Sequence, residues 1–307
     1  MSDDAKAWGD FWAKNTGGKN GGPNNSTDGG GCLPDRWAAI EEAQQESWRG
    51  FVADLPQEAA LLDLATGDGR VLRWMRAVRG DLALKGIDLA PELPSAPEGT
   101  ETLGGIAMEK LPFEADSFDA AVSQFGFEYG DTVKVAAEMA RVLKKGGKVG
   151  LMVHRGDGPI LEHNAKRRAE IGWALDEKKV DALVANALQA PGGGAAIAAQ
   201  VAGAISLLGA NKFGENSPAW EIPEAMRRAC VMGQKGEAQA ILDTLAAIKV
   251  QAANEIGRIN SLEKACARAD AREDVIAAFA TQGLDLAETR EVAEPSGRPL
   301  ADFLIFS

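Results

Sequence analysis

Between Ala59 and Arg155 short apolar runs alternate with segments of helical periodicity. The runs are Leu61–Ala65, Leu82–Leu89, Thr102–Ala107, Phe118–Phe125 and Lys148–His154, each about the length of a buried strand. That rhythm predicts a parallel sheet with helices on both faces. The segment Thr132–Lys144 reads as one such helix. Val135, Met139, Val142 and Leu143 form its apolar stripe, Lys144 and Lys145 suit its C-terminal dipole, and Gly146 is placed to cap it. After Arg155 strand signals stop, and residues 156–282 are rich in Ala, Glu, Lys and Leu. Ile241, Leu245, Ile248, Ala252, Ile256 and Ile259 share one helical face there. Strands return at Leu284–Val292 and Leu300–Phe306, separated by Glu294-Pro295-Ser296-Gly297, as an antiparallel hairpin closing the sheet. The predicted fold class is α/β: a seven-stranded, mostly parallel sheet with a C-terminal antiparallel hairpin and a large helical insertion between strands five and six.

Four segments follow: a helical and lid segment 1–58, a core 59–155, a helical insertion 156–282 serving as cap, substrate region or dimer surface, and the hairpin 283–307. Within the first, Asn15–Cys32 holds seven glycines and four asparagines and reads as a loop. Aromatics flank it, with Trp8, Phe11 and Trp12 at helical spacing on one side and Trp37 on the other. Trp8, Phe11 and Trp12 suit either a core stripe or a substrate clamp. Beyond Trp37, Trp48, Phe51, Val52 and Leu55 mark an amphipathic helix.

The most apolar stretch, Ala195–Ala210, is interrupted by Gln200 and is shorter than the roughly 20 residues that cross a bilayer, so it is expected to be a core helix without membrane insertion. The start, MSDDAKAWGD, is acidic and carries no apolar signal region. Charge points the same way: 33 Lys and Arg against 45 Asp and Glu give a net −12, which opposes nucleic acid and anionic membrane surfaces as partners. Cys32, Cys230 and Cys266 are too scattered for a disulfide framework or a metal site, so a cytoplasmic protein with no metal is expected.

The run that carries chemistry is Leu61-Leu62-Asp63-Leu64-Ala65-Thr66-Gly67-Asp68-Gly69-Arg70. A buried strand ends there in a small-residue turn opening a helix near Val71. Gly67 and Gly69 lack the Cβ atoms that would block a nucleoside, and the helix N-terminus offers N–H groups to an anionic group. Gly86-Ile87-Asp88 ends the second strand with a carboxylate placed for both hydroxyls of a ribose. The GxGxxG dinucleotide pattern does not fit, because Ala65 and Arg70 stand at its first and third glycines.

Instead the run resembles motif I of class I S-adenosylmethionine-dependent methyltransferases. Three further segments carry the resemblance: Leu111-Pro112-Phe113-Glu114-Ala115-Asp116-Ser117-Phe118-Asp119, Ser123-Gln124-Phe125-Gly126-Phe127-Glu128, and Ala140-Arg141-Val142-Leu143-Lys144-Lys145-Gly146-Gly147. They look like the small-molecule group of that family and imply a Rossmann-like core. The resemblance implies S-adenosyl-L-methionine as cofactor and S-adenosyl-L-homocysteine as product. It places Asp63, Ala65, Gly67, Asp68 and Gly69 around the methionine end, Asp88 and Leu89 at the ribose, the Met108-Glu109 backbone at adenine, and Gln124 nearby. Ala107 departs from the group, whose acidic residue there bonds adenine. Ala65 replaces a glycine and is expected to adopt negative φ.

His154 closes the fifth strand on the carboxyl edge, where it can act as a general base or anchor the insertion. Glu128 and Tyr129 follow the fourth strand near the expected methyl position and complete the catalytic candidates. Phe11, Trp12, Tyr129 and Arg155 are the substrate-contact candidates. His163 reads as a surface residue, and Lys166, Arg167 and Arg168 as a solvated helix face. The expected activity is methyl transfer to a small molecule at oxygen, nitrogen, sulfur or carbon. A binding protein with the pocket but no catalysis, its helical block a partner or homodimer surface, is the alternative. An NAD-type dehydrogenase and an arsenic methyltransferase fit less well, and the absence of an (N/D)PP(Y/F) motif after strand four opposes nucleic-acid methylation.

Overall fold

The computed structural model describes residues 38–233 and 238–307. Trp8, Phe11, Trp12, Cys32, Trp37 and the glycine-rich segment lie outside the described residues. Contacts divide the described chain into two compact units, one of residues 38–161 with 261–307 and one spanning Glu162–Asn260.

The first unit is a seven-stranded sheet in the order β3-β2-β1-β4-β5-β7-β6. Its strands are β1 (Ala60–Leu64), β2 (Ala83–Ile87), β3 (Thr100–Leu103), β4 (Phe118–Gln124), β5 (Leu143–His154), β6 (Leu286–Ala293) and β7 (Pro299–Phe306). The first five pair in parallel, and β7 runs antiparallel to both β5 and β6. Adjacent residues of each central strand point to opposite faces, and both faces are covered, which is why the sequence shows continuous apolar runs rather than alternation. On one face Leu61, Val122, Met152 and Phe303 pack with Trp48, Phe51 and Val52 of α1 (Ala38–Ala53) and with Val71, Leu72 and Met75 of α2 (Arg70–Val78). On the other, Leu62, Leu64, Ala121, Leu151 and Leu304 pack with Val135 and Met139 of α3 (Thr132–Val142).

Two expectations about local structure are corrected. The α3 helix ends at Val142, not Lys144, and Gly146 does not cap it. Leu143 is already extended and pairs with Phe118, so Leu143–Gly147 open β5 through a register shift in which Gly146 takes φ +78°. Lys144 pairs with Asp119 at 2.8 Å instead of serving the helix dipole. The third strand lies at Thr100–Leu103, earlier than Thr102–Ala107, because the loop after it turns back so that Gly105 and Ile106 donate to the Ala90 and Asp88 carbonyls.

Helices follow β5: α4 (Pro159–Gly172), α5 (Val180–Gln189), α6 (Ala195–Phe213), α7 (Pro218–Met232), α8 (Ala238–Asp270) and α9 (Arg272–Ala280). The compact helical unit is narrower than the predicted insertion 156–282, since Val275 and Phe279 of α9 belong to the sheet's core. Its own core joins Val180, Val184, Ala198, Ala202, Met226, Cys230, Ile241 and Leu245. Within it Arg167 is not a solvated residue: it pairs with Glu255 at 2.7 Å and Glu221 at 3.4 Å, and Arg168 donates to Asn260 at 2.8 Å. The α6 helix runs 19 residues with mean hydropathy 1.2, long and apolar enough by length and composition to cross a membrane. Only one face of it is core, with Ala198, Ala202 and Ile205 buried and Leu207 and Leu208 exposed.

Candidate functional site

Open parallel sheets bind ligands beyond the carboxyl ends of their strands, where the strand order reverses. Here that point lies between β1 and β4, and the residues leaving β1, β2, β4 and β5 converge there. The bend after β1 carries three consecutive left-handed positions on alternate residues: Ala65 at φ +58°, Gly67 at +53° and Gly69 at +70°. The negative φ expected of Ala65 is therefore wrong. The chain must turn sharply off β1, and the methyl is accepted because it stands against Gly126, where a Cβ would overlap the Ala65 Cβ. A non-glycine residue in this region costs about 1–2 kcal/mol, which the paired glycine across the bend helps the site to tolerate.

Asp88 organises that bend. Its Oδ2 accepts the Gly67 N–H at 2.9 Å and its Oδ1 accepts the Ala90 N–H at 2.9 Å. Burial raises its pKa, opposed by these backbone donors. Thr66 fixes the neighbouring strand, donating its N–H to the Ile87 carbonyl at 2.9 Å, while its side chain occupies the space a Cβ on Gly86 would need. Asp68 forms a two-pronged pair with Arg70, at 3.1 and 2.9 Å. Asp63 is fully enclosed in β1, and its Oδ2 finds no donor among the described residues. Burial pushes its carboxyl up to about 7; the Thr66 hydroxyl opposes this, and Asp88 and Asp68 add to it.

Leu89 is half exposed at the mouth, Met108 is half-buried, and the Glu109 side chain accepts the Asp131 N–H at 3.0 Å. Gln124 is already engaged, accepting from Trp48 Nε1 at 2.6 Å and donating to Gln44 at 3.3 Å. Arg155 is held by Asp302 and Asp157, each at 2.9 Å, and by Glu291 at 3.4 Å, so its cation serves the junction of β5 and β7.

Beyond β4, Gly126 leads into a single 3-10 turn, Phe127–Tyr129. Ser123 ties it to β1, with its hydroxyl donating to the Leu64 carbonyl at 2.9 Å and accepting the Phe127 N–H at 3.0 Å. The turn delivers Glu128 to the end of β5. Glu128 is completely buried, and its Oε1 accepts both the His154 backbone N–H at 2.9 Å and the ring Nδ1 at 2.8 Å. A carboxylate oxygen only accepts, so Nδ1 carries the hydrogen, and in the neutral ring Nε2 is the acceptor. Phe125 and Tyr129 wall the imidazole edge-on, with centroids at 4.3 and 5.9 Å. His154 is thus anchored to the turn after β4 through its backbone and its ring. Cys266 is buried, and burial, with Glu128 and Asp270 nearby, pushes its thiol up to about 12, so it is not a nucleophile at neutral pH.

Sequence reasoning passed over Ser123, Trp48 as the partner of Gln124, and two residues at the end of α8, Arg268 and Asp270. Asp270 accepts the Gly156 N–H at 3.2 Å, and Arg268 reaches the Glu128 and Tyr129 carbonyls. Their partners lie more than a hundred residues away, and a helical arginine or aspartate carries no local mark of such a contact.

A sheet ordered 3-2-1-4-5-7-6, a glycine bend after β1 and a carboxylate closing β2 are the features expected of a class I S-adenosylmethionine-dependent methyltransferase domain. Residues 62–151 match the family model described as a methyltransferase domain. The chain is 36% identical over 116 residues to the ubiquinone/menaquinone biosynthesis C-methyltransferase UbiE of Geobacter sp. (strain M21), covering 33% of this chain and 49% of that protein. It is 34% identical over 128 residues to the demethylmenaquinone methyltransferase of Thermotoga maritima, covering 39% of this chain and 53% of that one. The chain spans about half the length of these curated relatives. Among solved structures, the geranyl diphosphate C-methyltransferase from Streptomyces coelicolor, in complex with Mg2+, geranyl diphosphate and S-adenosyl-L-homocysteine, aligns at 19% identity and a TM-score of 0.33, over 38% of this chain and 46% of that one.

Proposed function

We propose that the protein methylates a small-molecule acceptor whose nucleophilic atom gives up a proton, with S-adenosyl-L-methionine as donor and the Glu128–His154 pair as proton acceptor. The residues of the bend suit the cofactor. Asp63 has a buried oxygen without a donor among the described residues, Gly67 and Gly69 take left-handed backbone that glycine adopts without strain, and Asp88 accepts the Gly67 N–H of the same turn. Asp63, Gly67 and Gly69 would hold the methionine end, Asp88 the ribose and the Met108-Glu109 backbone the adenine. When bound, the cofactor supplies a methyl group already activated by its own sulfonium charge.

The protein's remaining work is alignment, exclusion of water and management of the proton. The observation that carries the proposal is the buried carboxylate of Glu128 accepting twice from His154 on one oxygen. Such a carboxylate fixes the tautomer and ring plane, so that Nε2 takes the acceptor's proton and Glu128 stabilises the imidazolium that results. Two of the relatives are named as methyltransferases of quinone biosynthesis, one of them a C-methyltransferase. A methylated ring carbon must shed a proton to recover its bonding, which is the step this pair can serve.

The test incubates purified protein with methyl-labelled S-adenosyl-L-methionine and a low-mass cell extract, quinone precursors included. Label should pass to a low-mass product, and His154→Ala should lower its rate by about 10²–10⁴ while S-adenosyl-L-homocysteine binding stays within a few-fold. Cofactor binding without any labelled product refutes the proposal and leaves a binding protein.

A further inference from the structure

Glu128 can orient His154 only if its own backbone is held. The carboxylate itself offers no second restraint, since Oε2 has no partner among the described residues. Glu128 also lies on a 3-10 turn of three residues, too short to satisfy its last carbonyls internally. The turn's N-terminal side is fixed by Ser123, as above. Its C-terminal side is fixed from a distant part of the chain. Arg268 Nη1, in the last turn of α8, donates to the Glu128 carbonyl at 3.1 Å and to the Tyr129 carbonyl at 3.2 Å. Two residues on, Asp270 accepts the N–H of Gly156, just past His154, and leaves no room for a side chain at Gly156. One helical turn therefore grips the backbone on both sides of the Glu128–His154 contact.

We infer that Arg268 is a positioning residue for the proton acceptor, acting through the turn that carries Glu128 and touching neither cofactor nor acceptor. The inference rests on the function proposed for that pair, but the geometry it asserts can be measured without turnover. The chain has only two histidines, His154 and His163, so the imidazole N–H resonances are few and are assigned with His163→Ala. The Nδ1–H of His154, bonded to Glu128, gives a downfield proton signal that moves upfield in Glu128→Gln, where the bond loses its charge, and is absent from His154→Ala.

Arg268→Ala should move or broaden that signal toward the spectrum of Glu128→Gln. Arg268→Lys, which keeps a donor and a charge, should restore it in part. Leu82→Ala, which opens the core beside the amino end of β2, away from the turn, should leave the signal in place, separating positioning from general loss of stability. Once an acceptor is known, Arg268→Ala should lower kcat at least tenfold with cofactor Kd unchanged. Should Arg268→Ala not fold, Arg268→Gln carries the same comparison. An unaltered Nδ1–H signal in the folded alanine or glutamine variant overturns the inference, whatever the methylation assay gives. Displacement of the signal with no methyl transfer in any variant supports the positioning role and removes the reaction instead.

Discussion

Asp63 is the group whose replacement should separate stability from function most cleanly. Its carboxyl is enclosed in β1 and pushed from 3.8 to about 7, chiefly by burial. The folded state thus binds this proton more tightly than the unfolded chain does. The resulting stabilisation is fully present below about pH 4 and is lost as pH rises through 7. A displacement of about 3 pH units corresponds to about 4 kcal/mol, with a slope near 1.4 kcal/mol per unit between pH 4 and 7. Asp63→Asn removes the titration and keeps a polar group of similar shape. Relative to the parent, the cofactor-free variant should gain about 3 kcal/mol between pH 5 and pH 8. In a protein of this size that is about 6–12 °C in the difference between the two Tm values.

Chemical denaturation of both proteins from pH 5 to 8.5 measures the gap. A constant difference across that range would falsify the assignment of a raised carboxyl to this position. The same group makes a second demand, because a cation held at the bend favours ionised Asp63. Cofactor binding at pH 6 should then release close to one proton, and at pH 8.5 almost none. Calorimetry in buffers of different ionisation enthalpy reads this directly, and heats independent of buffer at pH 6 would refute it.

Asp88→Ala removes the acceptor of the Gly67 and Ala90 N–H groups and should weaken S-adenosyl-L-homocysteine binding by about 1–3 kcal/mol, with some loss of Tm; unchanged affinity in calorimetry would remove Asp88 from the site. Gly126→Ala sets two methyl groups against each other and should cost about 1–3 kcal/mol in denaturant titrations. Adding Ala65→Gly should return most of that loss, so additive costs in the double variant would contradict the contact. Glu128→Gln and His154→Ala should depress kcat by comparable factors, and the double variant little further, because the pair acts as a unit. Multiplying effects would show two independent roles.

What the sequence made legible was whatever repeats at short range. The five apolar runs of the parallel sheet needed only their own periodicity, and Asp63, Gly67, Gly69 and Asp88 could be placed because each lies at a strand end that the periodicity had already located. Errors arose where a residue's conformation depends on a partner from elsewhere in the chain. Ala65 was expected at negative φ because its methyl penalises the alternative, but the absent Cβ of Gly126, just past the end of β4, creates the space. Gly146 looked like a helix cap because Lys-Lys-Gly-Gly stops a helix, yet pairing with Phe118 draws Leu143 into β5 first. Arg167 read as solvated because its charged neighbours in sequence hid the carboxylates of Glu221 and Glu255.

The candidate proton acceptor shows both regimes at once. His154 and Glu128 were found from their strand ends, whereas the contact between them is fixed by Ser123 from within β4 and by Arg268 from 140 residues away. A local pattern can therefore nominate the reacting groups of such a site. Their precision is set by long-range backbone contacts, and those contacts are where substitutions outside the recognisable motifs should act.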